Sequence, residues 1–152
     1  MSIQNIMTVC IGNICRSPVA EGLLAQALPQ CKVWSSGLHA VVGAPAEPTA
    51  QALALEAGIN ISAHRAQQVQ AWMCTQADLI LVMEASHLRE LAQRFPLARG
   101  KIRLLGEFGT EHASIPYDIA DPYQQPRAAF EVAHTAIAQG VTQWARRIRL
   151  IG

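Results

Sequence analysis

Cys10 and Arg16 lie six positions apart in Val9-Cys10-Ile11-Gly12-Asn13-Ile14-Cys15-Arg16-Ser17-Pro18, and far along the chain Asp121 precedes Pro122 and Tyr123. Each group suits one part of a single chemistry. A thiolate is a strong nucleophile, a guanidinium offers a planar fork that matches two phosphate oxygens, and a carboxyl can protonate a departing oxygen. The combination points to transfer of a phosphoryl group from oxygen to sulfur. Asp-Pro alone is a common turn, so Asp121 gains weight only from the company of the first stretch. Asp118, three residues earlier, is its rival; it lacks the following proline and reads as a loop residue.

Such groups need a rigid frame. The apolar run Ile6-Met7-Thr8-Val9 predicts a strand ending at Cys10, and Pro18 predicts a helix in its first turn just beyond. A strand, a tight loop and a helix start aim backbone N–H groups and the positive end of the helix dipole at one point, which favours an anion. A cysteine at the start of such a loop has its thiolate favoured by the same field.

A bare cysteine and arginine at this spacing arise often by chance. With Gly12, Asn13, Cys15, Ser17 and Pro18 in place, V-C-x-G-N-x-C-R-S-P resembles the phosphate loop of the low-molecular-weight protein tyrosine phosphatases. Asp121-Pro122-Tyr123 resembles that family's acid loop. The resemblance implies Cys10 as nucleophile, Arg16 as phosphate clamp and Asp121 as general acid and then base. Ile11, Gly12, Asn13, Ile14, Cys15 and Ser17 would surround the phosphate, and Tyr123 would form a wall for the substrate ring. Asn13 and Ser17 can also bond within the loop, with Ser17 reaching the sulfur. The family supports its loop with a serine after strand two and a histidine further on; Ser35 and His64 match, and Ser36 is one place off. Cys15 would be a reversible disulfide partner that shields Cys10 from overoxidation.

The chain also departs from the family. The loop 38–43 carries aliphatics where an aromatic wall is usual, Gln124 replaces a second tyrosine, and Gln67 stands where arginine is common, so a contact there is expected to be missing. The pattern looks like the bacterial members linked to exopolysaccharide export. It implies a phosphotyrosine protein as partner, a bacterial tyrosine autokinase, and neither metal nor cofactor.

Composition agrees. The 152 residues suffice for one domain, 1–152, and not for two ordinary ones. Half the residues are apolar and 15% charged, as in a globular protein. Twelve Lys and Arg against eleven Asp and Glu leave a net charge of +1, which gives no reason to expect nucleic acid. No apolar run nears the ~20 residues of a membrane span. The start lacks a basic leader and long apolar segment, so nothing suggests export, and a reactive thiol that must stay reduced fits a reducing cytoplasm; a monomer is expected. Cysteines 10, 15, 31 and 74 form no C-x-x-C pair or zinc quartet, and Cys31 and Cys74 read as core residues.

Strands are predicted at Ile3–Cys10, Cys31–Ser35, Asp78–Met83 and Lys101–Leu105. Helices are predicted at Pro18–Leu28, Thr49–Ala57 capped by Gly58, near Val69–Cys74, and at Ser86–Arg94. A last helix follows Pro126, with Phe130, Ile137, Val141, Trp144 and Ile148 in one apolar stripe and Gly140 as a weak point. Alternating strands and helices predict an α/β fold with an open four-stranded parallel sheet, helices on both faces, and ligands at the C-terminal strand edge. Two other readings remain: a thioredoxin-coupled arsenate reductase, which needs two further redox cysteines close together, and a non-catalytic phosphotyrosine-binding module.

Overall fold

In the computed structural model, which describes residues 2–151, four parallel strands lie in the order β2-β1-β3-β4. They are β1 (Asn5–Cys10), β2 (Lys32–Gly37), β3 (Leu79–Val82) and β4 (Ile102–Leu104). β1 sits between β2 and β3, with Thr8 opposite Ser35 on one side and Leu81 on the other. The strand that ends in Cys10 is therefore paired on both edges.

The sheet is covered on both faces, as its nearly continuous apolar strands require. Alternate residues separate the layers. Ile6, Cys10, Leu79, Leu81 and Met83 pack under α1 (Arg16–Ala27), α2 (Pro48–Glu56) and α5 (Arg127–Ile151). Met7, Val9, Ile80 and Val82 face α3 (Ala71–Gln76) and α4 (Ala85–Arg94). A 3₁₀ turn at Pro96–Lys101 leads into β4.

The elements follow the expected order, with shifted ends. α1 begins at Arg16 rather than Pro18, so the arginine itself opens the helix. β2 runs on through Ser36 to Gly37 because it pairs with β1 as far as Cys10. α3 begins at Ala71, after Val69 has bonded back to Gly37. Gly58 ends α2 at φ +84°, a conformation open to glycine. Among the cysteines predicted as core, Cys74 is buried, but Cys31 lies half-buried before β2.

The stripe on α5 is buried as predicted. Gly140 is no weak point: a Cβ there would lie 2.8 Å from the Leu105 carbonyl oxygen. Its helix cost is offset by letting α5 close onto the chain just after β4. Trp144 completes this contact, donating Nε1–H to the Leu104 carbonyl at 3.0 Å and meeting Phe108 in a tilted ring contact, centroids 4.7 Å apart.

Candidate active site

The loop from Cys10 to Cys15 is shaped by where its carbonyls go. The Cys10, Ile11 and Gly12 carbonyls accept from the N–H groups of Leu38, His39 and Val41 at 2.9, 2.9 and 3.0 Å. The Asn13 carbonyl accepts from His64 Nε2 at 2.7 Å, and that of Ile14 from the Glu47 N–H at 2.8 Å. Each peptide plane sets its N–H opposite its C=O. Five successive carbonyls bonded outward therefore turn the amides of residues 11–15 inward. The chain after β2 builds this frame because β2 is the neighbour of β1. Gly37 permits the approach, since a Cβ there would meet the Ile11 carbonyl at 2.5 Å.

Asn13 is the hub beneath the loop. It is fully buried at φ +59°, a left-handed conformation that asparagine tolerates better than most residues. Its Nδ2 donates to Ser17 Oγ at 2.8 Å and Ser35 Oγ at 3.0 Å, and its Oδ1 accepts the Gln67 N–H at 2.9 Å. Ser17 accepts from Asn13, and its oxygen lies 2.9 Å from Cys10 Sγ, within reach of its own hydrogen. Ser35 donates to Glu21 Oε1 at 2.6 Å. Burial pushes the Glu21 carboxyl up, and the Ser35 hydrogen bond opposes it. His64 faces a carbonyl, which only accepts, so it carries a proton on Nε2.

The structure brings Asn13, Ser17, Ser35 and His64 together, with the first two bonded within the loop. The Asn13 and Ser17 side chains do not line the pocket; they lie under the loop, fully buried. Ser36 points to the other face and meets Met7 Sδ at 3.3 Å. The contact expected to be missing at Gln67 is replaced: its side-chain amide donates to the Ser35 carbonyl at 2.9 Å.

Arg16 is 1% exposed, and its guanidinium is held on one side only. Nη1 donates to Glu84 Oε2 and to the Ile119 carbonyl, both at 2.6 Å. Nε has no partner among the described residues, and Nη2 lies 3.7 Å from Asp121 Oδ2. Nε and Nη2 form the side-on fork of a guanidinium, the geometry that takes two phosphate oxygens. The anchoring carboxylate, Glu84, was not found from sequence. It follows β3, at the strand edge where the loop sits, and that position was the available clue.

Above the loop, the pocket is lined by Cys10, Ile11, Gly12, Ile14, Cys15, Arg16, His39, Val41, Asp121 and Tyr123. Asp121 Oδ1 accepts the Tyr123 N–H at 3.1 Å, a side-chain turn across Pro122 that steadies the carboxylate near the arginine. Asp118 is committed elsewhere, its Oδ1 accepting the Ala85 N–H at 2.9 Å at the start of α4. Val41 takes a wall position in the loop that lacks an aromatic. His39 is a rim residue that sequence reasoning missed; Glu90 Oε2 lies 2.9 Å from its Nε2.

Cys15 shares the pocket, and its thiol is pushed up to about 12, first by burial and then by Cys10, Asp121 and Glu47; Arg16 opposes. Cys74 packs on the opposite face of the sheet, so it gives a thiol relay no partner near the loop. Among the described residues no group of three or more His, Cys, Asp or Glu is placed to hold a metal ion, and no helix is long and apolar enough to cross a membrane.

Comparison with known proteins agrees with this geometry. Residues 5–150 match the family model described as low molecular weight phosphotyrosine protein phosphatase. The chain is 45% identical over 150 residues to the probable low molecular weight protein-tyrosine-phosphatase EpsP of Ralstonia nicotianae, covering 99% of each. It is 41% identical over 145 residues to the low molecular weight protein-tyrosine-phosphatase Wzb of Escherichia coli K12, covering 95% of each. The structure of Vibrio vulnificus Wzb in complex with benzylphosphonate superposes with a TM-score of 0.90 at 38% identity, covering 96% of this chain and 99% of that one.

Proposed function

The chain belongs to the low molecular weight phosphotyrosine protein phosphatase family, and from that membership we propose that it hydrolyses phosphotyrosine in proteins through a phosphocysteine intermediate. The observation that carries the mechanism is the loop itself: five carbonyls bonded outward, with Cys10 at its mouth and the Arg16 fork beside it.

Cys10 thiolate attacks phosphorus in line. The inward amides and the Nε and Nη2 donors of Arg16 take up charge on the equatorial oxygens, which is the largest contribution available to such a site. The P–O bond breaks as the P–S bond forms, and Asp121 gives its proton to the tyrosyl oxygen. Water then attacks the phosphocysteine, Asp121 takes a proton from it, and the Cys10 thiolate departs from inorganic phosphate. Ser17 donates to the sulfur when it is negative, before attack and again as it leaves. Ile11, Val41 and Tyr123 offer apolar surface to an aryl ring.

The partner in this reading is a bacterial tyrosine autokinase that controls polysaccharide production. Support comes from the aliphatic 38–43 loop and from the likeness to EpsP and Wzb.

Two assays test this. Para-nitrophenyl phosphate and a phosphotyrosine peptide should both be turned over in the presence of a metal chelator, with a trapped phosphocysteine at position 10. Failure on both substrates, or loss of activity with the chelator, would overturn the mechanism. Phosphate release from an autophosphorylated kinase tail, compared with an unrelated phosphotyrosine protein, tests the partner.

A further inference from the structure

His87, on the first turn of α4, is 3% exposed, and neither ring nitrogen makes a hydrogen bond among the described residues. A buried polar group without a partner is costly, so its place needs a reason. Its Nε2 lies 3.4 Å from Glu84 Oε2, the same oxygen that accepts Arg16 Nη1 at 2.6 Å. One carboxylate oxygen thus stands between the phosphate-binding guanidinium and a buried imidazole.

We propose that His87 is a positioning residue for the phosphate clamp: its imidazole, with the proton on Nε2, holds the Glu84 oxygen that anchors Arg16. The proposal rests on the phosphatase reading above. Glu84 keeps 27% of its side-chain exposure, so α4 alone does not confine it. The ring behind it closes off the alternatives. Shortening 3.4 Å to an ordinary hydrogen bond takes about 0.5 Å, a movement typical of sites that tighten when ligand binds. As phosphate draws on Nε and Nη2, Oε2 can tighten on His87 without losing Nη1.

The charge on the ring matters. An imidazolium would compete with Arg16 for Oε2. The groups facing the ring are Arg16 from α1, Glu84 just before α4, Glu90 from α4, and Asp118 from the loop that carries the acid. Burial, and after it Arg16, favour the neutral ring, and the three carboxylates oppose them.

The experiment compares wild type, His87→Phe and His87→Gln with para-nitrophenyl phosphate, using inorganic phosphate as inhibitor. His87→Phe keeps the ring's bulk and deletes the donor, so its inhibition constant for phosphate should rise, and kcat/KM fall, by about tenfold, as for a lost bond to a charged group. His87→Gln keeps an N–H donor and should recover most of this. On a Glu84→Gln background, His87→Phe should add nothing further. In the intact wild type, ring ¹H–¹⁵N spectra should show the Nε2–H tautomer at neutral pH, with a signal that moves on adding phosphate. Wild-type kinetics in His87→Phe, a glutamine variant no better than phenylalanine, or an Nδ1–H ring blind to phosphate would each overturn the inference. A wild type without turnover would instead remove the phosphatase reading beneath it.

Discussion

The Ser17 hydroxyl lies 2.9 Å from the Cys10 sulfur and, with Asn13 donating to its oxygen, keeps its own hydrogen available to a Cys10 thiolate, which only accepts. Ser17→Ala therefore removes one donor to the nucleophile and one acceptor beneath the loop. We expect kcat to fall roughly tenfold or more, the scale of a hydrogen bond to a charged group. Single-turnover measurements should show the loss in phosphocysteine hydrolysis, where the thiolate is the leaving group. An unchanged rate of that step removes the hydroxyl from the mechanism.

Asp121→Asn should slow phosphotyrosine hydrolysis by roughly 10²–10⁴-fold, the range of general acid catalysis. The loss should shrink as the leaving group becomes more acidic and needs less protonation. Asp118→Asn should do far less to the chemistry, since Asp118 binds the Ala85 N–H and asparagine can accept the same bond. A leaving-group series on both variants decides between the two carboxylates. A steep dependence that emerges only in the Asp118 variant reassigns the acid.

Peroxide should inactivate the enzyme reversibly, with Cys15 trapping oxidised Cys10 as a disulfide. Cys15 attacks as its thiolate, and its thiol is pushed up to about 12. Trapping should therefore speed up steeply from pH 6 to pH 8, while slower capture at low pH leaves more irreversible oxidation. Peptide mapping across that range is the measurement. Sulfonic acid at Cys10 with free Cys15 at every pH contradicts the protective role.

Burial first, and Arg16 second, lower His87 from its ordinary value of 6.5; burial also lowers His134. Below about 6.5 the unfolded chain binds more protons than the folded one, so stability falls as pH drops through that window. Burial raises Glu21, which acts in the opposite sense above its ordinary 4.5. The clean test is a difference: denaturant midpoints from pH 7.5 to 5.5 should decline less in His87→Gln than in wild type. Parallel declines would mean that His87 titrates alike in both states.

The sheet and the family were readable in the sequence because they rest on local patterns. Val9 to Pro18 carries its own strand end, turn and helix start, and Asp121-Pro122 marks a turn. The supports were less readable. Glu84 follows an unbroken apolar strand, and only the pairing of β3 with β1 brings it to Arg16. Four of the five bonds in the frame that turns the loop amides inward come from backbone N–H groups of residues 38, 39, 41 and 47, which every non-proline residue has, so side-chain identity says little of them. His64, which makes the fifth, and Gly37 are its traces in the sequence. The bond that Gln67 does make, from its amide to the Ser35 carbonyl, was not readable either, because it depends on which carbonyl the fold sets beside it.

The amide at position 67 has a consequence for ionic strength. Asn13 is held by two hydroxyls, a backbone N–H and an imidazole N–H that persists in either charge state, so no charge attraction is needed to keep the loop's outline. Added salt weakens the pull on a dianion and leaves this outline alone. Rising salt should therefore cost the enzyme substrate capture while each bound substrate still meets an undistorted cradle.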